Sequence, residues 1–157
     1  MKFKPLAFII NIALTLIVGA LGGWATALSV KTWYPTLNKP SFNPPNWLFA
    51  LVWTTLYILI GIAAYLIWVK RDRIVHFPRV AAIYLIQLGL NLGWSFIFFY
   101  FHEIGYALME IIILLILIIV NAVLFYKIDK WAGLIFVPYI LWVSFASFLT
   151  YSIYILN

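Results

Sequence analysis

The chain has 157 residues, 67 % of them hydrophobic and 9 % charged, with a mean hydropathy of +1.10. That length holds one domain, and a soluble surface needs roughly a quarter or more charged residues, so a freely soluble globule is excluded and a membrane protein is expected. The absence of cysteine removes disulfides, thiolate metal sites and cysteine nucleophiles. The net charge of +6 sits mainly beside the ends of apolar runs, so it reads as an orientation signal and not as nucleic-acid affinity.

The first run, about 6–30, is uncharged from Pro5 to Val30. Lys2 and Lys4 look like the start of a signal peptide, but the run behind them is too long for a cleaved one and long enough to span. Next comes "WYPTLNKPSFNPPNW", residues 33–47, which holds four of the seven prolines: Pro35, Pro40, Pro44 and Pro45. Fixed φ angles make this a stiff loop. Four more apolar runs follow, at about 46–69, 80–101, 104–126 and 131–155, separated by charged clusters. Each is long enough to cross a bilayer as a helix, and the strand alternation of an outer-membrane barrel is missing. The expected fold is therefore an all-α bundle of five membrane-spanning helices forming one domain. Eight basic residues (Lys2, Lys4, Lys70, Arg71, Arg73, Arg79, Lys127, Lys130) lie on the side of the N-terminus and two (Lys31, Lys39) on the other, which predicts a cytoplasmic N-terminus and a loop 33–47 on the opposite face.

Candidate chemistry is sparse. His76 and His102 sit at span ends, far from any carboxylate pair, and no metal site is expected. In the third span Gln87, Asn91, Trp94 and Phe98 fall at i, i+4, i+7 and i+11 on one face. Two amides in lipid must look inward, either to a neighbouring helix or to a cavity. Ala82, Gly89 and Gly93 form a small-residue stripe on the other face, fit for close packing against another span or a second subunit, and Gly19 and Gly23 repeat the spacing in the first span. Trp53 and Tyr57 are i, i+4 neighbours in the second span, while Pro138, Trp142 and Ala146 share a face of the fifth. Trp24, Trp47, Trp68 and Trp131 fit the interfacial belt, whereas Trp53, Trp94 and Trp142 lie too deep for it. Pro138 is expected to kink the fifth span and open space, and three interior tryptophans, two amides and that kink point to a flat, partly aromatic ligand. Glu110 is the one carboxylate inside a span, a functional candidate by default or a residue that reaches the interface.

These residues resemble the translocator protein family, also called tryptophan-rich sensory proteins (TspO/MBR). The matching segments are "WYPTLNKPSFNPPNWLFALVWTTLY", "QLGLNLGWSFIFF", "ALMEIIILL" and "WAGLIFVPYILWVSFASFLTY", covering nearly the whole chain. The resemblance implies a five-helix bundle, commonly a homodimer, whose first loop is a lid over a pocket. It also implies binding of porphyrins such as protoporphyrin IX and haem, and, in animal members, of cholesterol and benzodiazepine-type drugs. Carried over, the pocket set is Tyr34, Trp53, Tyr57, Asn91, Trp94, Trp142 and Ala146, with Gln87, Ser95 and Phe98 on or near the same surface. In some bacterial members light degrades bound protoporphyrin, with tryptophans matching Trp53 and Trp142 implicated, so a porphyrin-degrading enzyme is the second expectation and a partner-binding scaffold the third. No cofactor is required; the porphyrin is a ligand. Cholesterol handling is unsupported, because no basic residue follows Tyr151 in "FLTYSIYILN".

Overall fold

A backbone in lipid must satisfy its own polar groups, and the described residues of this chain do so with helices. The computed structural model describes residues 2–157. Its helices are α1 (Pro5–Ala27), α2 (Asn46–Trp68), α3 (Phe77–Ser95), α4 (Ile104–Ile128) and α5 (Lys130–Leu156). A π-helical turn, Phe96–Tyr100, extends α3, and short 3-10 turns cover Tyr34–Thr36 and Arg71–Arg73. All five spans are long and apolar enough to cross a membrane, at 23 to 27 residues each.

The helix ends follow side-chain chemistry, which shifts some boundaries from the hydropathy reading. Helix α1 stops at Ala27 rather than near residue 30, because residues 28–33 wind into turns that bond back to Thr26 and Ser29. Helix α3 begins at Phe77, since Pro78 suits a first helical turn and Arg79 is solvated there. A single residue, Asp129, separates α4 from α5. Its carboxylate accepts from the Trp131 and Ala132 N–H groups and so caps α5. His102 takes a left-handed φ of 58° and ends α3 beyond the π turn, its ring stacked on Trp33 at 4.1 Å.

The helices pack as a closed ring in the order α1, α2, α5, α4, α3. Apolar burial alone does not hold spans together in lipid, so close backbone approach and buried hydrogen bonds matter more. A Cβ on Gly61 of α2 would lie 2.8 Å from Ile12 Cα, and Thr15 donates to the Tyr57 carbonyl at 2.7 Å, which together seat α1 on α2. A Cβ on Gly133 would strike the Tyr126 backbone, so glycine is what lets the α4–α5 hairpin close. The core runs through Ile60, Leu114, Ile118, Phe136 and Val143. Helix α1 buries only Thr15, Gly22 and Ala25, and space is left beside it.

Candidate functional site

That space is a cavity of about 520 Å³ bounded by α1, α2, α3, α5 and the loop between α1 and α2. Helix α1 contributes its small residues, Gly19, Ala20, Gly22 and Gly23, so the sequence spacing that suggests helix packing here makes room instead. A Cβ on Gly19 would come within 2.5 Å of the Tyr57 ring, whereas one on Gly23 would meet nothing within 4 Å. The opposite walls are aromatic: Trp53 and Tyr57 from α2, stacked at 5.6 Å, and Trp94 from α3 with Phe98 from the π turn, stacked at 5.1 Å. Ala146, Leu149 and Thr150 of α5 form the floor. Leu16, Ala20 and Gly23 of α1 and Ala50 and Thr54 of α2 line the cavity while also exposed on the outer surface, so this wall gives onto the bilayer. Among the described residues no charged side chain lines it.

The loop closes one end. Buried Tyr34 lines the cavity and donates from its hydroxyl to Asn43 Oδ1 at 2.7 Å. Burial pushes its phenol up to about 12, against the pull of the Asn43 hydrogen bond, so it stays a neutral donor at any physiological pH. Lys39 turns inward, donating to the Tyr34 and Leu37 carbonyls at 2.9 and 3.1 Å with its ammonium 4.8 Å from the Tyr34 ring centroid. It clasps the loop rather than facing a ligand. Ser29 donates to the Phe99 carbonyl at 2.6 Å, which pins the start of the loop to the π turn. Asn38 and Asn157 exchange hydrogen bonds, and Phe42 stacks on Phe148 at 5.4 Å, which docks the loop on the end of α5.

Of the ten residues expected at the pocket, Tyr34, Trp53, Tyr57, Trp94, Ser95, Phe98 and Ala146 line this cavity, and Gln87, Asn91 and Trp142 do not. Both amides enter a directed chain behind the wall, Asn91 through both ends and Gln87 through its oxygen alone, its buried Nε2 having no acceptor among the described residues. Tyr57 Oη donates to Asn91 Oδ1 at 2.6 Å, Asn91 Nδ2 donates to Tyr139 Oη at 2.6 Å, and Tyr139 Oη donates to Gln87 Oε1 at 2.9 Å. This ties α2, α3 and α5 together and fixes the ring of Tyr57 as a wall. The sequence reading missed Tyr139; its signal was a hydroxyl deep in a span that also carries no amide partner of its own. Trp142 packs edge-on against Phe49, a lining residue, and so supports the wall from behind. Pro138 is exposed toward lipid within an unbroken helix and borders no part of the cavity. The buried indole N–H groups of Trp94 and Trp142 lack acceptors among the described residues. Glu110 is buried on α4 away from the cavity, its Oε1 3.7 Å from where a Cβ on Gly93 would sit. Gly93 is thus turned toward α4, while Ala82 and Gly89 remain exposed.

The arrangement can hold a flat apolar body between aromatic faces and offer it a few neutral hydrogen-bond donors. The sequence pattern of the TspO/MBR family matches residues 11–156. The chain is 43 % identical to the tryptophan-rich protein TspO of Archaeoglobus fulgidus, over 97 % of both chains. It is 33 % identical to the tryptophan-rich sensory protein of Cereibacter sphaeroides, over 88 % of this chain and 85 % of that one. It is 32 % identical to the translocator protein of Sus scrofa, again over 88 % and 85 %.

Proposed function

This integral membrane chain belongs to the TspO/MBR family, and from that premise we propose that it is a membrane receptor for tetrapyrroles such as protoporphyrin IX or haem, acting as sensor, carrier or scavenger. The names of its relatives, sensory and translocator proteins, support the coarser role of sensing or transport. The observation that carries the finer reading is the cavity's chemistry: two stacked aromatic pairs, Trp53–Tyr57 and Trp94–Phe98, face an uncharged space that opens to lipid. Aromatic walls take a planar conjugated ring at about 0.5–1.5 kcal/mol per contact beyond area burial. Since no cation lines the cavity, the propionates of a porphyrin point out toward the headgroups. The loop 33–47 acts as the lid, made stiff by its prolines and by the Lys39 clasp. Benzodiazepine-type drugs suit the same walls.

The N-terminus is assigned to the cytoplasm, and in a bacterial host the membrane is the cell membrane. Two copies pair through the exposed Ala82–Gly89 face of α3.

The test is to illuminate the purified protein with bound protoporphyrin IX, with and without oxygen, and follow the absorption spectrum and mass. Reversible, saturable quenching with porphyrin recovered intact supports a receptor. Turnover to a new product that stops in Trp53→Phe would make the protein a porphyrin-degrading enzyme instead. Trp142 does not line the cavity, which favours the receptor.

A further inference from the structure

A second concavity, about 450 Å³, lies at the membrane face that carries the N-terminus, and it has the opposite chemistry. Its lining is Lys70, Arg73, Ile74, Val75, Lys127 and Ile128: three cations and three aliphatic side chains, contributed by the turn after α2 and the last turn of α4. Of the five other cations at this face, Arg71 and Lys4 are engaged, and Lys2, Arg79 and Lys130 stand exposed outside the cleft. Arg71 lies over the Trp68 ring at 3.7 Å and donates to its carbonyl, and Lys4 sits over the same ring at 5.6 Å. Lys70 is held by Asp129 at 2.6 Å. Arg73 and Lys127 are exposed and make no hydrogen bond or ion pair with any described residue. Counting Asp129 against the three lining cations leaves the cleft with two uncompensated positive charges.

Lys127 alone has a local explanation, since a cation in the last turn of a helix suits the negative end of its dipole. Arg73, in a three-residue turn, has none, and orientation signals do not require cations to converge on a cleft. The depth is that of lipid headgroups: Trp68 and Trp131 end α2 and begin α5 at this level, and Trp131 is 70 % exposed, as interfacial anchors are. Val75 is 88 % exposed in a turn whose other exposed residues, Asp72, Arg73 and His76, are polar, and with Ile74 and Ile128 it gives the cleft an aliphatic side beside its cations.

We infer that the Lys70–Arg73–Lys127 cleft is a binding site for the phosphate headgroup of an anionic phospholipid, whose acyl chain lies along Ile74, Val75 and Ile128. Guanidinium and ammonium groups suit a phosphate oxygen cluster, and basic pockets between spans at this face hold anionic headgroups. The inference stands apart from whatever the aromatic cavity binds.

The test uses the full chain in neutral detergent and the double variant Arg73→Gln/Lys127→Gln, which leaves the Lys70–Asp129 pair intact. Retention of phosphatidylglycerol against phosphatidylcholine is read by native mass spectrometry, with thermal unfolding as the check on folding. The parent is expected to prefer phosphatidylglycerol, and the double variant to lose about thirtyfold of that preference, from two cations at the surface. Its unfolding temperature without lipid should match the parent's. A preference unchanged in the double variant, or absent in the parent, overturns the site. Equal protection of the parent by free glycerol 3-phosphate would overturn the lipid assignment in favour of a soluble anion.

Discussion

Replacing Asn91 by leucine removes the middle of the chain that joins Tyr57, Tyr139 and Gln87. Tyr139 keeps an acceptor in Gln87, but the Tyr57 hydroxyl, on a residue only 6 % exposed, is left with none. A membrane interhelical hydrogen bond averages about 0.6 kcal/mol, whereas a buried donor stranded without a partner costs about 1–3 kcal/mol. Asn91→Leu should therefore destabilise by about 2 kcal/mol, above what a lost bond alone would cost. Adding Tyr57→Phe removes the stranded hydroxyl, so the double variant should recover about 1 kcal/mol of that loss. The assay is equilibrium unfolding of parent, both single variants and the double variant in one detergent. Additivity of the two changes within about 0.5 kcal/mol, with no recovery, would refute the chain as an energetic unit.

Three further outcomes follow from the packing and the charges. Gly133→Ala should destabilise strongly, because its Cβ meets the backbone of Tyr126 and not a movable side chain, while Gly23→Ala, with open space at its Cβ, should leave the unfolding temperature nearly unchanged. Partial burial pushes the Asp129 carboxyl up, but hydrogen bonds from Lys70 and from the Ala132 and Trp131 N–H groups, with the Lys70 charge, outweigh it and hold it below the usual range. The stability this gives is fully present above the unfolded carboxyl pKa and is lost as pH falls through the lower folded value; Asp129→Asn, which keeps the cap, should cost about 1 kcal/mol at pH 7 and flatten the acid limb of a pH–stability curve. Gly89→Leu, on the exposed face of α3, should convert the proposed dimer to a monomer in light scattering, and a dimer that survives it uses another face.

Hydropathy and charge made the five spans legible, since a bilayer imposes one length and one kind of backbone bonding on every crossing. The helical period also put Gln87, Asn91, Trp94 and Phe98 on one inward face, but it does not say which neighbour meets each turn. Trp94 and Phe98 open on the cavity while Asn91 and Gln87, about one and two turns from Trp94, bond Tyr57 and Tyr139 behind it. Lys39 counted only as an orientation charge because loop geometry is invisible in composition; in the fold its ammonium donates to the Tyr34 and Leu37 carbonyls. The glycines of α1 were visible as a pattern, yet small residues serve close packing and empty space equally well, and only the position of Tyr57 separates Gly19 from Gly23.

The proposed function places a flat ligand between α1, α2, α3 and α5 in the aromatic cavity. Ala146 is a buried floor residue of that space, so Ala146→Phe puts a ring where the proposed ligand would lie, against walls that cannot yield without disturbing the Tyr57–Asn91–Tyr139 chain. Titration of protoporphyrin IX into parent and variant, read by tryptophan quenching, is the direct measurement. The parent should bind saturably and the variant at least tenfold more weakly, a loss of about 1.4 kcal/mol or more. A variant that folds like the parent and binds protoporphyrin with the parent's affinity would contradict the claim.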